Sequence, residues 1–471
     1  MRRVLVISYD FPPSMMAGAQ ACAQIARHLP GYGWEPIVLT VDGGHGDHVD
    51  AGPLHTFPGR VVRTRVAPHP LSVYRTVKSR LRPHADQTTG RERPLPRSGT
   101  FQRWALSLLA VPDIYTGWLL PASLAGLREI RRRHVTHLLS SAPCWTNHLV
   151  GLVLARLTGL PWTAHFRDPW TRTPGWRPWT PLSRRVEIAL EERVVRTAST
   201  VVCVTTRHTD LMRRLYPDLR GDTFVTIPNG FDETEWPDRD AASAGPGPAK
   251  RNTFVITYVG WLYQRRSPSP LFRALATLIN SGDIDRNRIR VELIGWCDWV
   301  DGARVRDIAA EHGLAECVNV SGPLTRREML RQLVASDLLL LLAEGLTLQI
   351  PGKTYEYLRS GRPILALTSE GALADLLRQT GGAWVVDPSN QDGIVTAVRE
   401  AYRSWKDGLD SPTADAAAVS RFDRRLLAGQ FAEVFARGIP RRPKLWPWRR
   451  EPGAELREVQ NCATSFDRPL H

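Results

Sequence analysis

The segment Ile350–Leu367, with the sequence IPGKTYEYLRSGRPILAL, predicts a loop, a short helix, a turn and a buried strand. Pro351 and Gly352 precede the helix, where proline suits the first turn. Gly361 follows the helix, where glycine suits the left-handed conformation just past a helix end. The apolar run Ile364–Leu367 then has the length of a strand. A helix and a buried strand joined by one tight turn are typical of an α/β protein.

The start of this helix has the chemistry of an anion-binding site. Lys353, Glu356 and Tyr357 are spaced i, i+3 and i+4, so they share one face of the first turn. A helix start also has unpaired N–H groups and the positive end of the helix dipole. A phosphate can bind there while the nearby carboxylate holds hydroxyl groups. An ordinary amphipathic helix with a surface Lys–Glu pair explains the same spacing.

The length and composition predict a folded protein of two domains. The chain has 471 residues, of which 42% are hydrophobic. A chain of this length rarely folds around a single hydrophobic core. The six cysteines show neither a disulfide framework nor a CxxC pair, which favours a reduced, cytosolic protein. The apolar stretch near the start is too short for a signal peptide, and no run is long enough for a transmembrane helix.

The net charge of +15 is concentrated in two parts of the chain. Arg60–Arg103 contains eleven lysines and arginines and two acids, and Arg437–Arg450 contains six basic residues and no acid. Nucleic acid, an anionic membrane and anionic substrates all fit such charge. No nucleic-acid recognition motif accompanies it, so we expect no nucleic-acid partner.

Two successive alternations of strands and helices predict an α/β protein with two Rossmann-like, doubly wound domains that face a cleft. The first alternation begins with the apolar strand Arg3–Tyr9 and lacks a G-x-G-x-x-G fingerprint. The second begins at Phe254, after the segment Asp238–Asn252, which is rich in alanine, glycine and proline. Residues 51–100 show no strong periodicity, so we expect a long, mobile excursion there.

Ligands of such sheets bind beyond the carboxyl ends of the strands. These patterns also give the expected boundaries of the domains. They are residues 1–232 for the first domain with a basic and apolar excursion at 51–124, 233–252 for a linker, 253–420 for the second domain, 421–438 for a last amphipathic helix, and 439–471 for a basic tail with tryptophans.

Five motifs, in this order, resemble those of GT-B glycosyltransferases. They are SYDFPP at 8–13 with the following Gly18, FRDPW at 166–170, IPNGFD at 227–232, YVG at 258–260, and the opening segment at 350–367. The chain is most similar to the large retaining family 4 (group 1), in its polysaccharide and cell-envelope branch. The resemblance implies the GT-B fold, a nucleotide-sugar donor held mainly by the second domain, and an acceptor held mainly by the first. It also implies transfer with retention of the anomeric configuration, and a last helix that crosses back to the first domain.

The resemblance assigns donor binding to the opening segment. Glu356 matches the second of the family's paired glutamates, which binds the ribose hydroxyls of the donor. Lys353 and the backbone N–H groups of Gly352 and Thr354 match the phosphate-facing helix start. The first glutamate of the pair is absent, because Leu348 stands eight residues before Glu356. What recognises the sugar ring is therefore open.

Two further parts of the chain are expected to contact the donor. The family has an arginine and a lysine after the glycine of YVG, and this chain has Arg265 and Arg266 shortly after it. An arginine side chain can donate two parallel hydrogen bonds to phosphate oxygens, so one of these two arginines is expected to contact the diphosphate. A solvated turn also explains the two arginines. Gly18 matches the family's glycine-rich turn, which allows a ligand to approach the backbone closely.

The catalytic candidates lie at the end of the strand that finishes at Phe166. Many members of the family have a His-Asp pair there, and this chain has Arg167-Asp168, with His165 two positions before the arginine. Asp168 can orient the acceptor or accept its proton, but an aspartate before proline is also common in turns. His165 lies within the strand, where a buried and hydrogen-bonded histidine is the usual case.

The remaining expectations concern cofactors and partners. We expect no cofactor and no metal, because both D-x-D matches lie away from the strand ends, and a helix dipole with basic side chains can neutralise a diphosphate. We expect a cytoplasmic enzyme whose basic and apolar segments, residues 60–124 and 439–471, dock it on the anionic inner face of the plasma membrane, near a lipid-linked acceptor. Solvated loops explain those segments too. The alternative functions are a nucleotide-sugar epimerase of the same fold and a donor-binding homologue that has lost catalysis.

Overall fold

The computed structural model describes residues 1–14, 16–43, 57–68, 111–172, 176, 178, 180–236, 252–263 and 265–437. All structural statements below concern these residues. Most of the expected excursion, most of the linker and the expected basic tail lie outside them.

The first sheet has seven parallel strands in the order β3-β2-β1-β4-β5-β6-β7. In chain order they are β1 (Arg2–Ile7), β2 (Trp34–Val41), β3 (Arg60–Thr64), β4 (His137–Ala142), β5 (Trp162–Phe166), β6 (Thr200–Cys203) and β7 (Phe224–Thr226). The central strands β4 and β5 are buried at every residue. Helices cover both faces of a parallel sheet, so even polar residues of these strands, such as Ser140 and Thr163, are fully buried.

The second sheet has six parallel strands in the order β12-β9-β8-β13-β14-β15. Its strands are β8 (Phe254–Trp261), β9 (Ile289–Trp296), β12 (Val318–Ser321), β13 (Leu338–Ala343), β14 (Ile364–Thr368) and β15 (Ala383–Val386), and the short antiparallel pair β10 (Trp299–Val300) and β11 (Ala303–Arg304) lies outside it. In both sheets the strand order reverses beside the first strand, as in doubly wound Rossmann folds. The predicted α/β class with two Rossmann-like domains is confirmed.

The described residues contain thirteen α-helices, of which the last three follow the final strand. They are α1 (Ala17–His28), α2 (Leu119–Arg133), α3 (Thr146–Thr158), α4 (Pro181–Thr197), α5 (Thr206–Leu215), α6 (Ser269–Asn280), α7 (Val305–Glu311), α8 (Arg326–Ala335), α9 (Lys353–Ser360), α10 (Ala372–Thr380), α11 (Gln391–Asp407), α12 (Ala416–Ser420) and α13 (Arg424–Arg437). The opening segment is confirmed as a helix, α9, that ends at Gly361 with φ of 70° and leads into β14. No described helix has the length and apolar character that crossing a membrane requires.

The expectation of an irregular excursion over residues 51–100 is wrong at β3. Arg60–Thr64 pairs in parallel with β2 at the edge of the first sheet, and Val61 lies opposite Val38. Arginines at two of its five positions hide the strand from a search for apolar runs. At an edge these side chains find partners: Arg60 Nε donates to Glu129 Oε2 at 2.9 Å, and Arg63 donates to a loop carbonyl.

The last described helix, α13, returns to the first sheet. Leu427, Phe431 and Phe435 are buried in one cluster with Val4 and Val6 of β1. Burying each large apolar side chain contributes roughly 1.5–3 kcal/mol. The first sheet is therefore covered on one face by a helix that follows the whole second sheet in sequence.

Candidate active site

Lys353 is held where the carboxyl end of β8 meets the start of α9. Its Nζ donates to the carbonyl oxygen of Val259 at 2.8 Å and lies 3.6 Å from the centroid of the Tyr258 ring. A Cβ atom at Gly260 would lie 3.1 Å from Nζ, so the glycine of YVG leaves room for the ammonium group. The site lies beside the point where the strand order reverses, which is the expected ligand position in this fold.

The ammonium group of Lys353 has no carboxylate partner among the residues that the structure describes. Burial lowers the pKa of Lys353 well below its usual value, and the positive charge of Arg266 lowers it further. Two cations close together at a half-buried site are unfavourable until an anion joins them. The arrangement therefore suits a ligand with several negative oxygens, such as a diphosphate.

Of the two candidate arginines, the structure places Arg266 beside Lys353 and Arg265 elsewhere. The Arg266 guanidinium stacks 4.1 Å above the centroid of the Tyr263 ring and interacts with the Tyr258 side chain. Arg265 has a φ of 63°, and its Nη1 would lie 2.7 Å from a Cβ atom at Gly345. Of the two, Arg266 is therefore the arginine whose position suits the expected contact with the diphosphate.

Glu356 forms an ion pair with Arg326 through its Oε1 atom. Arg326 Nε also donates to Glu235 Oε2 at 2.9 Å, and Gln24 Nε2 of α1 donates to the same oxygen at 2.8 Å. Burial opposes the charge of Arg326, but the carboxylates of Glu356 and Glu235 outweigh it and raise its pKa. Arg326, which the sequence analysis missed, therefore orients Glu356 and links it to the first domain. Its position after a capping Thr325 gives no sign of this role.

The backbone at the start of α9 is partly occupied. The Thr354 N–H donates to the Pro351 carbonyl at 2.9 Å, so it is not free for a phosphate in this form, contrary to expectation. Gly352 is exposed, and no atom lies within 4 Å of the position that its Cβ would take. Of the two backbone positions, Gly352 is the accessible one.

In the first domain, Gly18 and Arg167 are brought into contact. A Cβ atom at Gly18 would lie 2.4 Å from both terminal nitrogens of Arg167, so only glycine leaves room for this guanidinium. Arg167 Nη2 donates to the Pro143 carbonyl at 2.5 Å, while its buried Nε finds no hydrogen-bond partner among the described residues.

Asp168 and Gln349 meet between the two domains. Gln349 Nε2 donates to Asp168 Oδ1 at 2.6 Å. Burial raises the pKa of Asp168, and the charge of Arg167, the Gln349 hydrogen bond and the charge of Arg266 oppose that rise. A carboxylate whose pKa is raised accepts a proton more readily. Gln349 was also missed, since a glutamine before IPGK carries no local signal.

Leu348, at the position of the absent glutamate, contributes its backbone to the same junction. Its carbonyl oxygen accepts a hydrogen bond from Thr205 Oγ1 at 2.7 Å. Nearby, Arg207 at the start of α5 forms an ion pair with Asp375 of α10. Two consecutive residues before α9, Leu348 and Gln349, therefore contact the first domain, and α10 contacts it as well.

His165 is buried within β5. It is 2% exposed, its Nδ1 lies 3.2 Å from Ser141 Oγ, and its ring lies 5.1 Å from that of Phe431. Burial, with the nearby charges of Arg167 and Arg424, holds its pKa well below the usual value, so the ring is neutral. This placement favours a structural histidine over a catalytic base.

The described residues contain no group of three His, Cys, Asp or Glu side chains close enough to hold a metal ion. The D-x-D match at Asp283–Asp285 has structural roles. Asp283 Oδ2 accepts from Arg399 Nε at 3.2 Å, and Asp285 caps a short 3-10 turn.

Comparisons with known proteins agree with this architecture. Sucrose-phosphate synthase from Thermosynechococcus elongatus aligns with a TM-score of 0.62 and 15% identity over 93% of this chain and 98% of its own. HepE of Anabaena in complex with UDP aligns with a TM-score of 0.60 and 15% identity over 93% and 100%. WaaG, a glycosyltransferase involved in lipopolysaccharide biosynthesis, aligns with a TM-score of 0.53 and 15% identity over 93% and 100%. The chain has the GT-B fold.

The sequence comparison is more limited in extent. Residues 253–404 match the family described as Glycosyl transferases group 1. They span the second sheet and contain Lys353, Glu356 and Arg266. No curated protein matches the chain.

Proposed function

We propose that the protein is a retaining glycosyltransferase of family 4 type that transfers a sugar from a nucleotide-sugar donor to a glycan or lipid-linked acceptor in cell-envelope or polysaccharide biosynthesis. The ammonium of Lys353, which has no carboxylate partner among the described residues, carries this proposal. It lies with Arg266 and Glu356 at the strand ends of a domain that matches group 1 glycosyltransferases. In the proposal, residues 253–420 hold the donor and residues 1–232 hold the acceptor.

The residues divide the chemistry among them. Negative charge grows on the departing diphosphate, and Lys353 and Arg266 stabilise it as preorganised cations without a metal. Glu356, oriented by Arg326, accepts hydrogen bonds from the ribose hydroxyls. Asp168 orients the acceptor hydroxyl or takes its proton, and substrate binding replaces the Gln349 hydrogen bond.

Calorimetric titration with UDP, GDP and TDP tests the donor site, and UDP comes first because HepE of Anabaena has structures with UDP and with UDP-glucose. We expect one of the three to bind. Incubation of the matching nucleotide sugars with and without envelope glycolipid extracts then separates transfer from epimerisation and from binding alone. Failure of all three nucleotides to bind would contradict the proposal.

Glu356→Ala is expected to weaken nucleotide binding at least tenfold, about 1.4 kcal/mol. The ribose loses its carboxylate partner, and Arg326 loses one of its two carboxylate partners. Titration of the cognate nucleotide measures this. Glu400→Gln, an exposed carboxylate on α11, is the control and should leave affinity unchanged. Equal affinity of wild type and Glu356→Ala would remove the ribose assignment.

The basic segment at residues 60–103 is proposed to bind an anionic membrane. Lys78, Arg80 and Arg82 belong to it, and each basic residue near such a surface contributes about 1 kcal/mol. Their joint replacement by glutamine should lower co-sedimentation with anionic liposomes at least tenfold. Replacing the exposed Arg131–Arg133 on α2 removes the same charge and serves as the control. Equal sedimentation with neutral and anionic liposomes would refute membrane docking.

A further inference from the structure

Arg424, the first residue of α13, is a buried arginine without a counter-ion. Only 4% of the surface of Arg424 is exposed. Among the described residues it has no ion pair, and its Nε has no hydrogen-bond partner. An uncompensated buried charge costs several kcal/mol. A bound ligand of opposite charge would compensate a buried charge of this kind.

The backbone around Arg424 fixes where this side chain starts. Its N–H donates to the Phe231 carbonyl at 2.8 Å, and the Phe231 N–H donates to the Phe422 carbonyl at 3.1 Å. A Cβ atom at Gly230 would lie 2.0 Å from that same Phe422 oxygen. The segment before α13 is therefore pinned against the IPNGFD motif, and Arg424 is presented from a rigid position.

The carboxylates nearest to Arg424 are committed to other cations. Asp232 and Glu356 act on it electrostatically, but Asp232 Oδ2 lies 3.0 Å from His28 Nε2 and 3.5 Å from Arg27 Nη1. Glu356 is paired with Arg326. Neither carboxylate lies within ion-pair distance of Arg424, so the charge of Arg424 has no ion-pair partner among the described residues.

Arg167 and Tyr355 are two further polar groups that interact with Arg424. Arg167 acts on it electrostatically, and that arginine also has an unpartnered buried Nε. The buried hydroxyl of Tyr355 neighbours it on the side of α9 and finds no partner among the described residues. Two guanidinium groups and a hydroxyl are a donor set suited to phosphate oxygens.

This cluster belongs to the first domain, apart from Tyr355. Arg167 follows β5 and touches Gly18 after β1, and α13 packs on that same sheet. Lys353 and Arg266 belong to the second domain, where the proposed function assigns them to the donor diphosphate. The Arg167 and Arg424 pair is thus available for a second anion.

We propose that Arg167 and Arg424 form a phosphate-binding subsite for the acceptor, which makes the acceptor a phosphate-bearing molecule. This inference rests on the proposed function, since it needs a donor in the other half of the site. It adds a residue on α13 to the substrate site and restricts the acceptor to compounds with a phosphate group near the reacting hydroxyl.

Inorganic phosphate, titrated into the protein already saturated with its nucleotide diphosphate, tests the subsite. We expect Arg424→Gln to weaken this phosphate binding at least tenfold and to leave nucleotide affinity within about twofold. Arg424→Lys keeps the charge but not the paired donors, so it should lie between wild type and Arg424→Gln. Arg421→Gln, which removes an exposed arginine three residues away, should change neither affinity.

Three results would overturn the proposal. Equal phosphate binding by wild type and Arg424→Gln would show binding elsewhere on this basic protein. A loss of nucleotide affinity in Arg424→Gln would assign the pair to the donor diphosphate. A marked fall in the melting temperature of Arg424→Met without ligand would show a structural arginine, whereas removal of an uncompensated charge should leave that temperature equal or higher. Failure of the proposed function itself appears separately, as absent nucleotide binding in wild type.

Discussion

Lys353→Ala should weaken binding of the cognate nucleotide diphosphate about 100-fold, or ~2.7 kcal/mol, and lower kcat/KM for the donor about 1,000-fold. The larger effect on kcat/KM is expected because charge on the diphosphate grows in the transition state. Titration and donor turnover measure the two quantities. Lys406→Ala, an exposed lysine at the end of α11, is the matched control.

The same lysine should make nucleotide binding depend on pH. Burial holds the pKa of Lys353 low in the ligand-free protein, and a bound diphosphate favours the charged form and raises it. Between these two pKa values, binding takes up a proton, so affinity falls as the pH rises. Calorimetry in two buffers of different ionisation enthalpy measures this uptake. Lys353→Met should abolish it, and an unchanged uptake in that variant would disprove the assignment.

Asp168→Asn is expected to lower kcat about 100-fold and to leave nucleotide affinity within about twofold, because the carboxylate acts on the acceptor. Burial raises the pKa of Asp168 above its usual value near 3.8. The active form is deprotonated, so kcat/KM should fall as the pH drops through this raised pKa of the free enzyme. An unchanged kcat in Asp168→Asn would exclude the role.

Gln349→Ala provides the matched test of that pH dependence. The Gln349 hydrogen bond stabilises the carboxylate and lowers the pKa of Asp168. Without it, the pKa of Asp168 in the free enzyme rises, and the acid limb of the kcat/KM profile should move to higher pH. A limb that stays in place would mean that another group titrates.

Most of the fold could be predicted because its strands are buried on both faces. The strands expected at Ile364–Leu367 and before Arg167 are β14 (Ile364–Thr368) and β5 (Trp162–Phe166), and both are buried at every residue. Strand β3 could not be predicted, since an edge strand tolerates Arg60 and Arg63 and so loses the apolar pattern. Apolar periodicity reports burial, and an edge position weakens that report.

The candidate site divides in the same way. Lys353 and Arg266 were singled out because they accompany local motifs, and the structure brings them together. Arg326, Gln349 and Arg424 depend on contacts between distant parts of the chain. An arginine at the start of an amphipathic helix has the same local pattern whether it faces water or a buried cluster, so tertiary structure alone distinguishes these cases.

The return of α13 to the first sheet affects how the protein is made. Val4 emerges from the ribosome early, but the side chains that cover it, such as Phe431, are translated after the entire second sheet. Until then one apolar face of the nascent first domain stays uncovered, a condition that favours aggregation or chaperone binding. Residues 1–232 expressed alone would retain that uncovered face. Separate expression of the two halves therefore requires α13 to be supplied in trans or moved by circular permutation.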